Sequence, residues 1–258
     1  MLCIMCNREV RRLYHSGGIE SVRKTLKLLE LMAEKGGALS VTQISERLGC
    51  SVSSATRFLQ TLELENYVRK NPGTNRYELT YRLYALATAC VAHDATMQKL
   101  IPIAHAVSQR YDVSVNINGV EGDDAILLYR VSRVLNKDLD FVIGQKAPVY
   151  CTSSGKAILS MMEPEELEPI LQNLQIRAFQ NVCSSVDQLR EEISDARRNG
   201  YAVCQEEYVS GVFSFSLPVR DSAGRRYAFT LIMPMRERKR VFRAEVLREL
   251  KTLLKQSI

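Results

Sequence analysis

The chain has 258 residues, 46% hydrophobic and 25% charged, with a net charge of +6. That length fits one large domain or two smaller ones, with enough apolar residues for real cores. No run of about 18 apolar residues is present, so no membrane span is expected. Met1 to Met5 is too short for a signal peptide ahead of Arg8, Arg11 and Arg12.

The positive charge is uneven: residues 1–80 hold 12 Lys/Arg against 8 Asp/Glu, and the rest 23 against 21. Cys3, Cys6, Cys50, Cys90, Cys151, Cys183 and Cys204 form no disulfide framework, which fits a reducing cytoplasm. Cys3 and Cys6 make a single CxxC, and one pair cannot fill a tetrahedral zinc site. His15, His93 and His105 are widely spaced. Neither a metal nor a cofactor is expected.

In chain order, residues 1–18 read as a flexible basic leader ending in His15-Ser16-Gly17-Gly18. A first helix is expected from about Ser21 to Lys35. Ser21 is its expected cap, Val22, Leu26, Leu29 and Ala33 line one face, and Gly36-Gly37 stops it. Leu28, Leu31 and Met32 widen the apolar surface.

Leu39 to Leu79 then reads as a helix, a turn at Gly49, a second helix and a short hairpin. In the second helix Ala55, Phe58, Leu59 and Leu62 follow i, i+3, i+4, i+7 and pack toward Ile44 and Leu48. Ser51 is placed to cap it. The other side carries Ser53, Ser54, Thr56, Arg57 and Gln60, with no carboxylate before Glu63. A helix entering a major groove needs donors and acceptors there, and phosphate would repel acid. Tyr67 to Lys70 and Arg76 to Leu79 flank Asn71-Pro72-Gly73-Thr74-Asn75, a hairpin with a basic tip. This is the pattern of a winged helix-turn-helix over residues 19–80. Its candidate DNA contacts are Thr42, Ser51, Ser53, Ser54, Thr56, Arg57, Gln60, Arg69, Lys70, Asn75 and Arg76. The partner is double-stranded DNA.

Thr80 to His93 reads as a stiff linker helix with Leu83, Leu86, Ala87 and Val91. The next helix, about Thr96 to Tyr111, contains Pro102, which implies a kink or a late start. From residue 112 the pattern turns to strands: Val113–Asn118, Ala125–Val131, Leu139–Ile143, Tyr201–Cys204, Val212–Arg220 and Arg226–Met233. Gly144 to Pro148 is expected to break the sheet. Helices are expected at Ser154–Met161, Pro164–Leu174, Val186–Asn199 and Arg243–Lys255. Together these make an α+β domain around a mostly antiparallel sheet.

In that domain Cys151 to Ser160 leads small residues straight into a helix. The first amides of a helix lack internal partners, so Ser153, Ser154 and Gly155 are placed to admit a small anion, a carboxylate being the natural guest. Lys156 would add charge, although a lysine there is more often solvated. Strand alternation offers Leu127, Tyr129 and Ile143 as an apolar wall. Catalysis finds little support. Adjacent strand residues Glu206 and Glu207 point to opposite faces, and neither Cys151 nor Ser153 has a histidine in the second half beyond His105. The chain has no phosphate-binding glycine loop.

Ser21 to Glu30, Ser40 to Ser45, Ser53 to Leu62 and Tyr67-Val68 together resemble the N-terminal domain of the IclR family of bacterial transcription regulators. Ser54 and Arg57 match the family helix, with Ala55 in the place of a common Thr. Pro148-Val149-Tyr150, Thr152, Gly155-Lys156-Ala157, Leu159, Arg198 to Val203, Glu206-Glu207, Gly211 and Pro218-Val219 resemble its effector domain. The resemblance implies a GAF-like ligand domain over residues 95–258, a linker helix at 81–94, and homodimers or homotetramers on near-palindromic operators. It also implies a pocket using positions Cys204 and Ser214, where Asp and Cys are frequent in the family.

The expected function is a cytoplasmic, ligand-responsive transcription regulator, repressor ahead of activator, of a catabolic operon, sensing a small organic acid. The alternative is a passive DNA-binding or assembly protein with a vestigial ligand domain.

Overall fold

A computed structural model describes residues 18–122, 124–133, 141–176 and 185–257. The leader over 1–17, with its CxxC, lies outside the described residues, as do Leu139 and Asp140 of one expected strand. The chain divides into two compact units that meet between His93 and Asp94.

The first unit holds α1 (Glu20–Lys35), α2 (Val41–Leu48), α3 (Val52–Leu64), β1 (Val68–Lys70), β2 (Tyr77–Leu79) and α4 (Arg82–Ala92). Its core joins Leu28 and Met32 of α1 to Leu39, Ile44, Ala55, Leu59, Leu62, Val68 and Tyr77. Deleting a fully buried side chain such as Leu59 from a core of this kind costs roughly 2–5 kcal/mol. Leu39 and Tyr77 exchange backbone hydrogen bonds of 2.9 and 2.8 Å, adding a third extended segment to the β1–β2 hairpin.

Two expectations for α1 are corrected. Its N-cap is Ile19 with no side-chain cap, so Ser21 does not cap it; Ser21 lies inside the first turn and its carbonyl accepts from Thr25 Oγ1. The buried ridge is Leu28–Met32, whereas Val22 and Leu26 are 52% and 56% exposed. The helix is apolar on two sides, and the core takes the ridge facing α2 and β2.

The second unit holds α5 (Ala95–Tyr111), β3 (Ser114–Glu121), β4 (Asp124–Val131), β5 (Lys146–Pro148), α6 (Ser153–Leu159), α7 (Pro164–Asn173), α8 (Val186–Asn199), β6 (Ala202–Gln205), β7 (Val212–Arg220), β8 (Arg226–Pro234), α9 (Arg238–Val241) and α10 (Ala244–Ser257). Six strands form one antiparallel sheet in the order β5-β4-β3-β8-β7-β6. α5 packs on β3 and β4, with α10 against α5, and α6 packs on β7 and β8 with α8 beside it. Every residue from Val113 to Gly119 is therefore buried, the polar ones included.

α5 begins ahead of Pro102, not after it, because Asp94 caps it: its Oδ1 accepts the N–H groups of Thr96 (2.9 Å) and Met97 (3.0 Å). The strand expected over Leu139–Ile143 is not formed at residues 141–143. The edge strand is instead β5, within the stretch expected to break the sheet. Gly144 N–H donates to Leu127 O (2.7 Å) and Leu127 N–H to Gln145 O (3.0 Å), which starts the pairing there. Pro148 ends β5 on the sheet edge, where its missing N–H costs no ladder bond.

One irregularity decides what β4 shows to each side. Ile117 pairs with Tyr129 but Asn118 pairs with Leu127, so Leu128 is an extra residue, a β-bulge. Past the bulge the alternation of β4 is inverted relative to β3.

Candidate nucleic-acid interface and ligand cavity

In the first unit, Ser40 closes α2 with a capping box. Its Oγ accepts from Gln43 N (3.2 Å), and Gln43 Oε1 accepts from Ser40 N (3.0 Å). Gly49 at φ 59° supplies the left-handed turn that a side chain would strain. Ser51 then caps α3, its Oγ accepting from Ser54 N at 3.2 Å.

Ala55, Leu59 and Leu62 are buried and Phe58 half-buried, which turns the opposite side of α3 outward. Ser53, Arg57 and Gln60 are exposed along one ridge, with Ser51 at its head and Thr42 exposed on α2. Ser54 and Thr56 are half-buried and already bonded: the Ser54 hydroxyl to that of Ser51 (2.9 Å), and Thr56 Oγ1 to Val52 O (2.8 Å). Val52, 53% exposed at the start of α3, joins the ridge as an aliphatic contact that was not anticipated. An exposed valine at a helix start is its only sequence signal.

The hairpin is less uniform than its basic composition suggests. Lys70 and Asn75 are exposed, Asn75 with φ 54°. Arg69 is paired with Glu78 across the strands at 2.5 Å. Arg76 does not extend the tip: it donates to Ala38 O (3.1 Å) and Gln43 Oε1 (3.5 Å), bracing the wing on the start of α2. α4 buries none of its residues, and Tyr84 and Leu86 are 69% and 50% exposed.

In the second unit, α6 and the sheet enclose a cavity of about 70 Å³. Ser153, Ser154, Cys204, Ser214 and Leu127, all named from sequence as pocket residues, line it with Thr152 of the family signature, together with Asn116, Asn118, Phe141, Gln145, Tyr208 and Thr230, which were not so named. The two asparagines were legible only as polar residues in a strand that proved buried on both faces.

Hydroxyls form a ladder along one wall. Ser153 Oγ lies 2.8 Å from both Ser214 Oγ and Ser216 Oγ, Ser216 Oγ lies 2.8 Å from Thr230 Oγ1, and Thr230 donates to Asn118 Oδ1 at 3.3 Å. Thr152 caps α6 by accepting Gly155 N–H at 3.1 Å. The helix itself offers no partner to the N–H groups of Ser153 and Ser154.

Three expected pocket residues are placed elsewhere. Gly155 is spent on packing, since a Cβ there would lie 2.3 Å from Val149 O, and its N–H is already taken. Tyr129 is turned by the Leu128 bulge to the α5 side, where its hydroxyl meets His105 Nε2 at 2.9 Å. Ile143 is 56% exposed and outside the wall, because pairing starts beyond it.

Lys156 is not solvated but 2% exposed, held by Glu207 at 2.5 Å and Glu192 at 2.6 Å. Burial alone would draw its ammonium down; the two carboxylates outweigh that and hold it above its usual range. Glu206 and Glu207 lie past the end of β6, Glu206 accepting from Gly211 N–H at 2.8 Å, so the two carboxylates do different work. Burial pushes the Cys151 thiol up to about 12 and the Cys204 thiol also upward, which leaves both neutral, Cys204 in the cavity wall and Cys151 in the core behind it.

Among the described residues no side-chain group fits a metal ion, and no helix is long and apolar enough to cross a membrane.

Two family profiles match the chain: IclR helix-turn-helix domain over residues 21–72, and Bacterial transcriptional regulator IclR C-terminal over residues 88–257. The HTH-type transcriptional regulator XynR of Escherichia coli (strain K12) is 27% identical over 202 residues, 78% of this chain and 80% of the relative. The DNA-binding transcriptional repressor YiaJ of the same strain is 25% identical over 239 residues, 91% of this chain and 85% of the relative. Among solved structures, an IclR homolog complexed with 4-hydroxybenzoate from Microbacterium hydrocarbonoxydans shares the fold. Its TM-score is 0.77 at 21% identity, covering 92% of this chain and 98% of that one. The chain belongs to the IclR family of bacterial transcriptional regulators and is a DNA-binding transcription regulator, not an enzyme.

Proposed function

We propose that this regulator is ligand-responsive and that its second unit senses a small organic acid, controlling a catabolic operon from the cytoplasm. The observation that carries this reading is the character of the cavity. Its lining includes hydroxyls, amides and two forward-facing helix amides but no ionised side chain among the described residues. An acid entering it meets donors and no repelling carboxylate. A passive DNA-binding protein has no use for a buried polar cavity, since buried polar groups without partners cost stability.

On DNA, the exposed ridge Ser53–Arg57–Gln60 with Val52 enters the major groove of a near-palindromic operator. Lys70 and Asn75 on the hairpin reach the backbone. Two or four copies assemble, with the exposed apolar sides of α1 and α4 as the contact. A ligand alters operator affinity only through its different affinity for the DNA-bound and DNA-free arrangements. Relatives named as repressors favour repression as the sign.

The test is a footprint on DNA upstream of the gene and its neighbours, repeated across a carboxylate panel and a salt series. Protection of a near-palindrome that weakens steeply with salt and shifts with one acid supports the reading. Protection indifferent to every acid overturns it.

A further inference from the structure

We infer that Asn116 selects the ligand: its amide NH2 donates to a second oxygen acceptor on the bound acid, a carbonyl or a further carboxylate oxygen, and disfavours an amine there. This rests on the proposed reading of the cavity as an acid site.

Asn116 is 4% exposed and lines the cavity. Its direct partner across β3 and β4 is Arg130, and the Leu128 bulge is what brings Arg130 to this face in place of Tyr129. Arg130 NH1 lies 3.4 Å from Asn116 Oδ1. A guanidinium has donors and no acceptor, so the amide end that faces it is the oxygen, and the NH2 is left to the cavity side. Among the described residues that NH2 has no acceptor. Arg130 is itself seated over the Phe141 ring, 5.2 Å from its centroid, which fixes the group that fixes the amide. Asn116 is thus a donor of set direction. An oxygen acceptor satisfies it; an ammonium meets donor against donor.

The test is calorimetric titration of the full-length protein with two matched pairs: 2-oxobutanoate against 2-aminobutanoate, and succinate against 3-aminopropanoate. In at least one pair the oxygen member is expected to bind about tenfold or more tightly. Asn116→Asp keeps a partner for Arg130 but offers only acceptors, so it should reverse that preference, which a merely damaged fold cannot do. Arg130→Lys, still a donor, should keep the preference, and Arg130→Met should reduce it. Equal binding within the pairs, or a preference unchanged in Asn116→Asp, overturns the role of Asn116 while the acid reading stands. If no member of either pair binds, the acid reading at this cavity fails and the inference with it.

Discussion

Lys156 Nζ lies 2.5 Å from Glu207 Oε2, and 2% of the lysine side chain is exposed. The pair ties α6, which carries Ser153 and Ser154, to the turn after β6, and Glu192 adds α8. Removing one partner of a buried pair leaves uncompensated charge and typically costs about 3–5 kcal/mol. Lys156→Met should sit near the lower figure, because Glu192 is 31% exposed and can be solvated.

The pH dependence follows from the same shifts. A base held above its usual 10.5 gives its full stabilisation below that value and loses it as pH rises through the higher folded value. In denaturant unfolding, the gap between wild type and Lys156→Met should be full near pH 8 and close in strong alkali. Burial pushes the Glu207 carboxyl up, with Lys156 opposing. Without Lys156 the burial is unopposed and the carboxyl rises further, so the variant should lose more stability than wild type as pH rises from 5 to 8, and its deficit should be smaller at pH 5. A gap that widens in alkali would refute the assignment.

The thiols should separate by burial. Cys90 is exposed and Cys50 intermediate, while Cys151 and Cys204 are buried with raised pKa values. Iodoacetamide at pH 8, followed by peptide mass mapping, should modify Cys90 quickly. Cys151 and Cys204 should react only when denaturant opens the second unit. Prompt alkylation of Cys204 in the native protein would mean that the cavity wall is open to reagent.

Arg57 stands exposed on α3, between Ser53 and Gln60 and clear of the core. Arg57→Ala should leave the melting temperature within a degree or two, since an exposed substitution away from caps and core changes little. It should weaken operator binding by about 1–3 kcal/mol if the guanidinium reads a base. Arg76→Ala should instead lower stability, because its guanidinium braces Ala38 and Gln43. Fluorescence anisotropy on the footprinted fragment, beside thermal melts, distinguishes the two.

How much of this was legible varied with the kind of signal. The cap at Ser51, the turn at Gly49 and the buried face of α3 are local, and local rules describe them. Val212–Arg220 and Val186–Asn199 carry strong periodicity and fold over those spans. The pocket was only half readable. Ser153 and Ser154 follow from the start of a helix, Cys204 and Ser214 from the family resemblance, and all four line the cavity. Tyr129 was misplaced because one bulge at Leu128 inverts the strand, and no single-sequence pattern marks a bulge. Lys156 was misread because its two carboxylates come from residues 36 and 51 positions away, a meeting that only the tertiary fold arranges.

Gly155 shows how packing and binding are joined at α6. Its Cα is so close to the turn before the helix that a Cβ would lie 2.3 Å from Val149 O and 2.4 Å from Val149 Cα. Both are backbone atoms, so no rotamer change relieves the clash, and either the helix or the turn must shift. Gly155→Ala should therefore destabilise by about 1–3 kcal/mol or more, although alanine is the better helix former. Any shift of the helix also carries Ser153 and Ser154 away from Ser214 and the cavity wall. Acid binding measured by calorimetry should fall in the variant at temperatures where it remains folded, while DNA binding by the first unit persists. A Gly155→Ala protein with wild-type melting and wild-type acid affinity would show that this close approach plays no part in holding the wall in place.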